Sequence, residues 1–135
     1  MIGIIIVSHG YAAKELLHSA EMIIGRQDKV RVVSLTEGMS PEALIELTVD
    51  AIKELSDNNG ILILTDLYGG STTNFIASAL LKRGNVEIVS GVNLPMLLSV
   101  LSERSELSLK ELSQKAVVDG KEGIINVKEF LKNNL

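Results

Sequence analysis

Apolar positions along this chain follow two alternating patterns. Short runs rich in apolar residues at Ile4–Val7, Val30–Leu35, Ile61–Leu64 and Val86–Val89 have the composition of strands. The first and third are apolar throughout, as in strands buried on both faces. Arg31 in V-R-V-V-S-L marks the second as an edge strand. Between the runs, apolar residues recur at three and four. Ala13, Leu16, Leu17, Ala20, Ile23 and Ile24 line one face of a helix from Tyr11 to Ile24, stopped by Gly25. His18 falls on the opposite stripe beside Lys14 and Glu21 and reads as a solvated surface residue.

Capping residues place the later helices. Ser40-Pro41-Glu42 supplies an N-cap, a proline at the first helical position and an acid against the helix dipole. That helix continues through Leu44, Leu47, Thr48, Ala51, Ile52 and Leu55 and breaks at Asp57-Asn58-Asn59-Gly60. A third helix, Thr73 to Arg83, is apolar around most of its circumference and needs cover on more than one side, which a subunit interface would supply. A fourth runs from Met96 to Leu101 with Pro95 near its start. Ser108-Leu109-Lys110-Glu111 is a capping box for a fifth ending near Gly120. Gly123–Val127 reads as a short last strand and Lys128–Leu135 as a polar tail.

Strands and helices alternating with short loops predict an α/β fold, a doubly wound parallel sheet with helices on both faces. No repeat, low-complexity tract or linker interrupts it, so residues 1–135 are expected to form a single domain. All strand carboxyl ends then share one edge, the usual place for ligands in such sheets. His9, Asp66 and the Gly91–Pro95 loop converge there.

Composition narrows the chemistry. With 46% hydrophobic and only 3% aromatic residues the core is aliphatic, and the stacking platforms of single-strand nucleic-acid binders are missing. A net charge of −4 and a pI near 5.2 give no basic footprint for DNA or RNA. The absence of cysteine removes disulfides and thiolate sites and fits a reducing cytoplasm. The apolar start lacks a basic leader region, and no run approaches the roughly 18 apolar residues of a membrane span. The expectation is a soluble cytoplasmic domain that meets a membrane only through partners.

His9 follows the first buried strand, and Asp66 follows the third. A neutral imidazole with one free nitrogen is a phosphoryl acceptor, and a carboxylate on its other nitrogen sets the tautomer and supports the cation formed on attack. The helix N-terminus after Gly10 works against that cation, so the two influences have to balance. Helix N-termini after Gly10, after Gly70-Ser71 and at Pro95 offer unpaired N–H groups to an anion. Gly69-Gly70 permits close backbone approach, and Ser71 or Thr72 adds a hydroxyl.

Other readings of this fold meet specific obstacles. A receiver domain would carry its phosphoacceptor at Asp66 but needs an acidic pair where Ser8-His9 stands. A histidine phosphatase would begin Arg-His-Gly. A flavin protein would stack aromatics, and only Tyr11 and Tyr68 are near the edge. One usable histidine and no cysteine do not supply the ligand set of a metal site. A ligand-binding or regulatory module without chemistry at His9 stays open at this point, to be told apart by tight nucleotide or flavin binding without phosphorylation.

I-I-I-V-S-H-G-Y-A-A, S-A-E-M-I-I-G, L-T-D-L-Y-G-G-S-T-T-N, S-G-V-N-L-P-M-L and G-K-E-G-I, in this order from residue 2 to about residue 125, resemble the mannose-type IIA component of the bacterial phosphoenolpyruvate:sugar phosphotransferase system. The resemblance implies that His9 takes a phosphoryl group from phosphorylated HPr and passes it to a IIB component, with Asp66 hydrogen-bonded to the histidine. It places Gly10, Gly70, Ser71, Thr72 and Asn93 around the site and implies no metal and no cofactor. It also implies a homodimer with a flavodoxin-like sheet of order 2-1-3-4-5, whose last strand, residues 123–127, is antiparallel and exchanged between subunits. The IIB component is expected to be a separate polypeptide, with the membrane subunits IIC and IID reached through it. A related family, the phosphotransfer subunit of dihydroxyacetone kinase, is the runner-up. The G-V-N-L-P-M-L block favours the sugar system.

Overall fold

A computed structural model describes residues 1–67, 71–80 and 83–135, the side chains of residues 71–73, 75 and 79 excepted. Four strands, β1 (Gly3–His9), β2 (Val30–Leu35), β3 (Ile61–Thr65) and β4 (Val86–Ser90), form a parallel sheet of order β2-β1-β3-β4. The connecting helices are α1 (Ala12–Ile24), α2 (Pro41–Leu55) and α3 (Ser71–Leu80), followed by α4 (Leu94–Glu103), α5 (Leu109–Glu122) and α6 (Val127–Asn134). The order 2-1-3-4 is that of a flavodoxin-like doubly wound sheet.

β1 is the centre of the molecule because both its faces are covered. Ile4 and Ile6 pack with Ala13 and Ala20 of α1, Leu97 of α4 and Leu112 of α5. Ile5 and Val7 pack on the other side with Leu44 and Ile52 of α2 and Ile76 and Leu80 of α3. Residues from Gly3 to Ser8 are buried, and His9 is the first of the strand to emerge. Alternation of side chains along a strand assigns odd and even residues to opposite faces, which is why an unbroken apolar run is required here.

Local capping signals act as expected. Ser40 accepts the Ala43 N–H at 3.1 Å, and Ser108 with Glu111 forms a complete capping box. α5 runs on past Gly120 to Glu122, because Gly120 is the surface against which α4 packs: a Cβ there would come within 2.8 Å of Met96 Cε.

Three expectations are corrected. The α1 stripe does not stay buried through its last turn: Ile23 is 61% exposed and Ile24 lies at the surface of the chain. Residues 124–126 form no strand in the single chain, so among the described residues the sheet has no fifth strand. The expected polar tail is α6, nucleated when the Asn126 side chain accepts the Glu129 N–H at 3.1 Å. Val127, Phe130 and Leu131 sit at helical spacing on α6 and are exposed, as are Ile124 and Ile125. Two apolar residues followed by an N-cap are too short a run to hold a strand without an edge to pair with.

Among the described residues no helix is long and apolar enough to cross a membrane.

Candidate functional site

His9 ends β1 between Val7, whose register partner on β3 is Thr65, and the turn into α1. Asp66 follows β3 directly, so parallel pairing of β1 with β3 sets the two residues side by side although they are far apart in sequence. The Asp66 N–H donates to the Val7 carbonyl at 3.2 Å, continuing the ladder one step beyond the strand.

Asp66 Oδ2 lies 2.8 Å from His9 Nδ1, and the same oxygen accepts the His9 backbone N–H at 2.8 Å. Asp66 Oδ1 accepts the Leu67 N–H at 3.0 Å. These contacts hold the carboxylate, which presents a fixed acceptor to the ring. With Asp66 ionised, Nδ1 carries the proton and Nε2 keeps its lone pair. The imidazole is 46% exposed and the aspartate side chain 22% exposed, so the ring faces solvent while its partner is mostly covered.

The turn after His9 is tightly specified. Gly10 has φ +57° and donates its N–H to the Leu35 carbonyl of β2 at 2.8 Å. No atom lies within 4 Å of a Cβ placed there, so it is backbone conformation rather than space that calls for glycine. Ser8 is buried, and its Oγ accepts the Ala13 N–H of α1 at 2.8 Å.

A cavity of about 660 Å³ opens beside the histidine, lined by His9, Gly10 and Tyr11 on one side and by Leu35, Thr36, Glu37, Met39, Pro41 and Leu44 on the other. Its far wall is the β2–α2 connection, which sequence reasoning passed over. The signal was available: β2 is parallel to β1, so the segment leaving its carboxyl end has to border His9.

The remaining expected site residues divide into two groups. Gly70 lies outside the described residues. Ser71 and Thr72 open α3, so the backbone of that helix starts shortly after Asp66, and their side chains are outside the description. Asn93 is described fully, and both ends of its side chain are occupied structurally. Its Oδ1 accepts the Met96 N–H at 3.0 Å and its Nδ2 donates to the Gly120 carbonyl at 2.9 Å. It lines a separate recess of about 200 Å³ with Ser90, Gly91 and Ile124, not the cavity beside His9. The helix N-terminus at Pro95 is thus capped by its own asparagine. His18 is 70% exposed with Nδ1 3.7 Å from Glu15 Oε2 on the outer face of α1, where its stripe placed it.

Fold and site together define a doubly wound α/β domain carrying a carboxylate-paired histidine on the carboxyl edge of its sheet. The family model described as the PTS system fructose IIA component matches residues 3–117. The mannose-specific EIIAB component of the phosphotransferase system (PTS) of Escherichia coli is 37% identical over 124 residues, covering 91% of this chain and 38% of that protein. The chain thus spans well under half the length of that relative. The fructose-specific EIIA component of Bacillus subtilis is 36% identical over 112 residues, 83% of this chain and 77% of that one. The crystal structure of an EIIA component from Streptococcus agalactiae superposes with a TM-score of 0.84 at 32% identity, covering 96% of this chain and 99% of that chain. The chain belongs to the mannose/fructose/sorbose family of EIIA components of the bacterial sugar phosphotransferase system, which are phosphotransferase proteins.

Proposed function

We propose that this protein is a phosphoryl carrier that accepts phosphate from phosphorylated HPr on His9 Nε2 and hands it to a IIB component during sugar uptake. The observation that carries this reading is the double engagement of Asp66 Oδ2 by the His9 amide and ring at 2.8 Å each. In the forward step the Nε2 lone pair attacks phosphorus, the N–P bond of the donor phosphohistidine breaks, and the donor ring keeps the released electron pair. The Nδ1 proton stays between His9 and Asp66, so the phosphorylated ring is a cation whose charge the carboxylate offsets. Transfer onward repeats the exchange with the IIB acceptor as nucleophile.

Glycine at position 10 and the start of α3 near Asp66 support an anion-tolerant backbone around the ring. Gly70, Ser71 and Thr72 are proposed as phosphate neighbours on the strength of the family motif. Asn93 is proposed as a support for the edge loops. The same reading makes the protein a cytoplasmic homodimer that reaches the IIC and IID membrane subunits through IIB. The exposed apolar residues from Ile124 to Leu131 support a dimer contact there.

Incubation with labelled phosphoenolpyruvate, enzyme I and HPr tests the reading. Acid-labile, base-stable label is expected on the wild type and on His18→Ala and none on His9→Ala. Label that survives His9→Ala and disappears in His18→Ala overturns it.

A further inference from the structure

We propose that Ser8 is a positioning residue for transfer at His9, an inference that rests on the phosphoryl chemistry proposed for that histidine. Ser8 is 1% exposed, next to the nucleophile in β1, and its hydroxyl sits on the α1 face of the strand. Its Oγ accepts the Ala13 N–H at 2.8 Å, and the hydroxyl proton is directed to the Gly10 carbonyl at 3.4 Å.

An N-cap residue ordinarily supplies the side-chain acceptor for the first turn of its own helix. Tyr11, at that position of α1, makes no such bond. The acceptor comes instead from the strand before it, across the turn that carries His9. One buried hydroxyl therefore ties the end of β1 to the start of α1 and to the carbonyl of the left-handed Gly10.

His9 is consequently bracketed on both sides. Ser8 and Gly10 are joined through the hydroxyl, and the Gly10 N–H is bound to Leu35 of β2 at 2.8 Å. The His9 N–H is bound to Asp66 at 2.8 Å. These bonds set the direction in which the Cα–Cβ bond of His9 leaves the backbone. The 2.8 Å contact between Nδ1 and Asp66 then sets the ring. The Ser8 hydroxyl is engaged by Ala13 and Gly10, so it acts through the turn. A misplacement of about 1 Å between reacting groups costs up to about a hundredfold in rate, which is the scale on which loosening this turn matters.

The test compares Ser8→Ala, Ser8→Thr, which retains Oγ, and Ala20→Gly, which weakens α1 without touching the turn. Single-turnover phosphorylation by phosphorylated HPr separates rate constant from amplitude. The ¹⁵N spectrum of the two histidine rings, recorded without HPr, reports the His9 tautomer. The rate constant of Ser8→Ala is expected to fall about tenfold while Ser8→Thr recovers it. Ala20→Gly is expected to lose amplitude only, as the unfolded fraction grows. The Nδ1–H form of His9 is expected to lose population in Ser8→Ala while His18 stays unchanged. If Ser8→Ala does not fold, Ser8→Cys, which keeps the volume and weakens both bonds, is read the same way. A wild-type rate constant in the Ser8 variant, or an equal slowing in Ala20→Gly, overturns the proposal. Failure of the wild type to take label on His9 removes the carrier reading instead. The ring spectrum then decides the hold of Ser8 on His9 alone: a shifted tautomer supports it, and an unchanged one overturns it.

Discussion

A single oxygen of Asp66, Oδ2, meets both the backbone N–H and the ring Nδ1 of His9, each at 2.8 Å. The same atom thereby fixes where the histidine starts and how its ring is turned. An aspartate bonded only to the ring would leave χ1 to solvent, at the entropic cost of ordering it later. Here the carboxylate orders backbone and side chain together, before any partner arrives.

Asp66→Asn therefore tests charge and Asp66→Ala tests charge and geometry together. A hydrogen bond to a charged group contributes about 1.5–3 kcal/mol, which corresponds to roughly 10- to 150-fold in rate if it is felt in the transition state. Both variants are expected to slow phosphorylation of His9 within that range while keeping a wild-type circular dichroism spectrum. Rates equal to wild type would remove Asp66 from the mechanism.

Gly10→Ala is expected to lower stability by about 1 kcal/mol, since φ +57° is costly for an L-residue with a Cβ. The open space around that Cβ means no clash adds to this. Urea denaturation measures the loss, and an unchanged midpoint would show that the turn relaxes freely.

Arg104 is expected to matter for stability and not for transfer. It is only 3% exposed and sits at the end of α4. Its Nη2 donates to the Asp28 carbonyl at 2.6 Å and Nη1 to the Lys29 carbonyl at 3.2 Å. Burial holds its guanidinium below the ordinary arginine value, and the nearby Asp28 charge opposes that shift. Arg104→Ala removes a buried side chain and its bonds to the Ile2, Asp28 and Lys29 carbonyls, and is expected to cost about 3 kcal/mol. Thermal melts would register this, while the phosphorylation rate constant of the folded fraction stays at the wild-type value.

Acid sensitivity has an assignable contributor. The Asp57 carboxylate accepts from Lys29 Nζ and from the Asn59 N–H, and these bonds bring its pKa down to about 2 from 3.8. A depressed carboxylate contributes its stability in full above the unfolded value and loses it as pH falls through the folded one. The stability difference between wild type and Asp57→Asn is thus expected to be constant at neutral pH, to narrow below about pH 4 and to be lost only below about pH 2. Denaturant titrations at three pH values measure it. The pair is at the surface, so added salt is expected to narrow the difference too.

The exposed apolar residues at Ile124, Ile125, Phe130 and Leu131 predict self-association through the C-terminal segment. Sedimentation of the wild type is expected to give a dimer, and Ile124→Ser with Phe130→Ser is expected to shift it toward monomer. An unchanged dimer in the double variant would place the contact elsewhere.

Much of the site is legible in the linear order of residues. Ile4–Val7 followed by Ser8-His9-Gly10 marks a buried strand ending in a polar turn. Ile61–Leu64 followed by Asp66 marks a second. Parallel pairing then requires the two ends to meet, and they do, at Nδ1 and Oδ2. Asn93 makes contacts that the linear order does not record. Its loop does reach the carboxyl edge, where the Val92 N–H binds the Thr65 carbonyl at 3.0 Å. The side chain nevertheless turns to α5, because the Gly120 carbonyl offers it an acceptor that sequence spacing cannot reveal.

The sequence by itself determined what depends on neighbours a few residues apart: the β-branched runs, the caps at Ser40 and Ser108, and the identity of His9 and Asp66 as strand-end residues. Those features arise from local sterics and hydrogen bonds, which a linear pattern records. Tertiary structure decided the rest. It set which side chain caps α1, and it placed the β2–α2 connection as the wall of the His9 cavity. It also brought Arg104 under the loop at Gln27–Lys29, as a donor to carbonyls about 75 residues away. Each of these depends on which surfaces meet once the sheet has folded, and contacts of that kind leave no periodic trace along the chain.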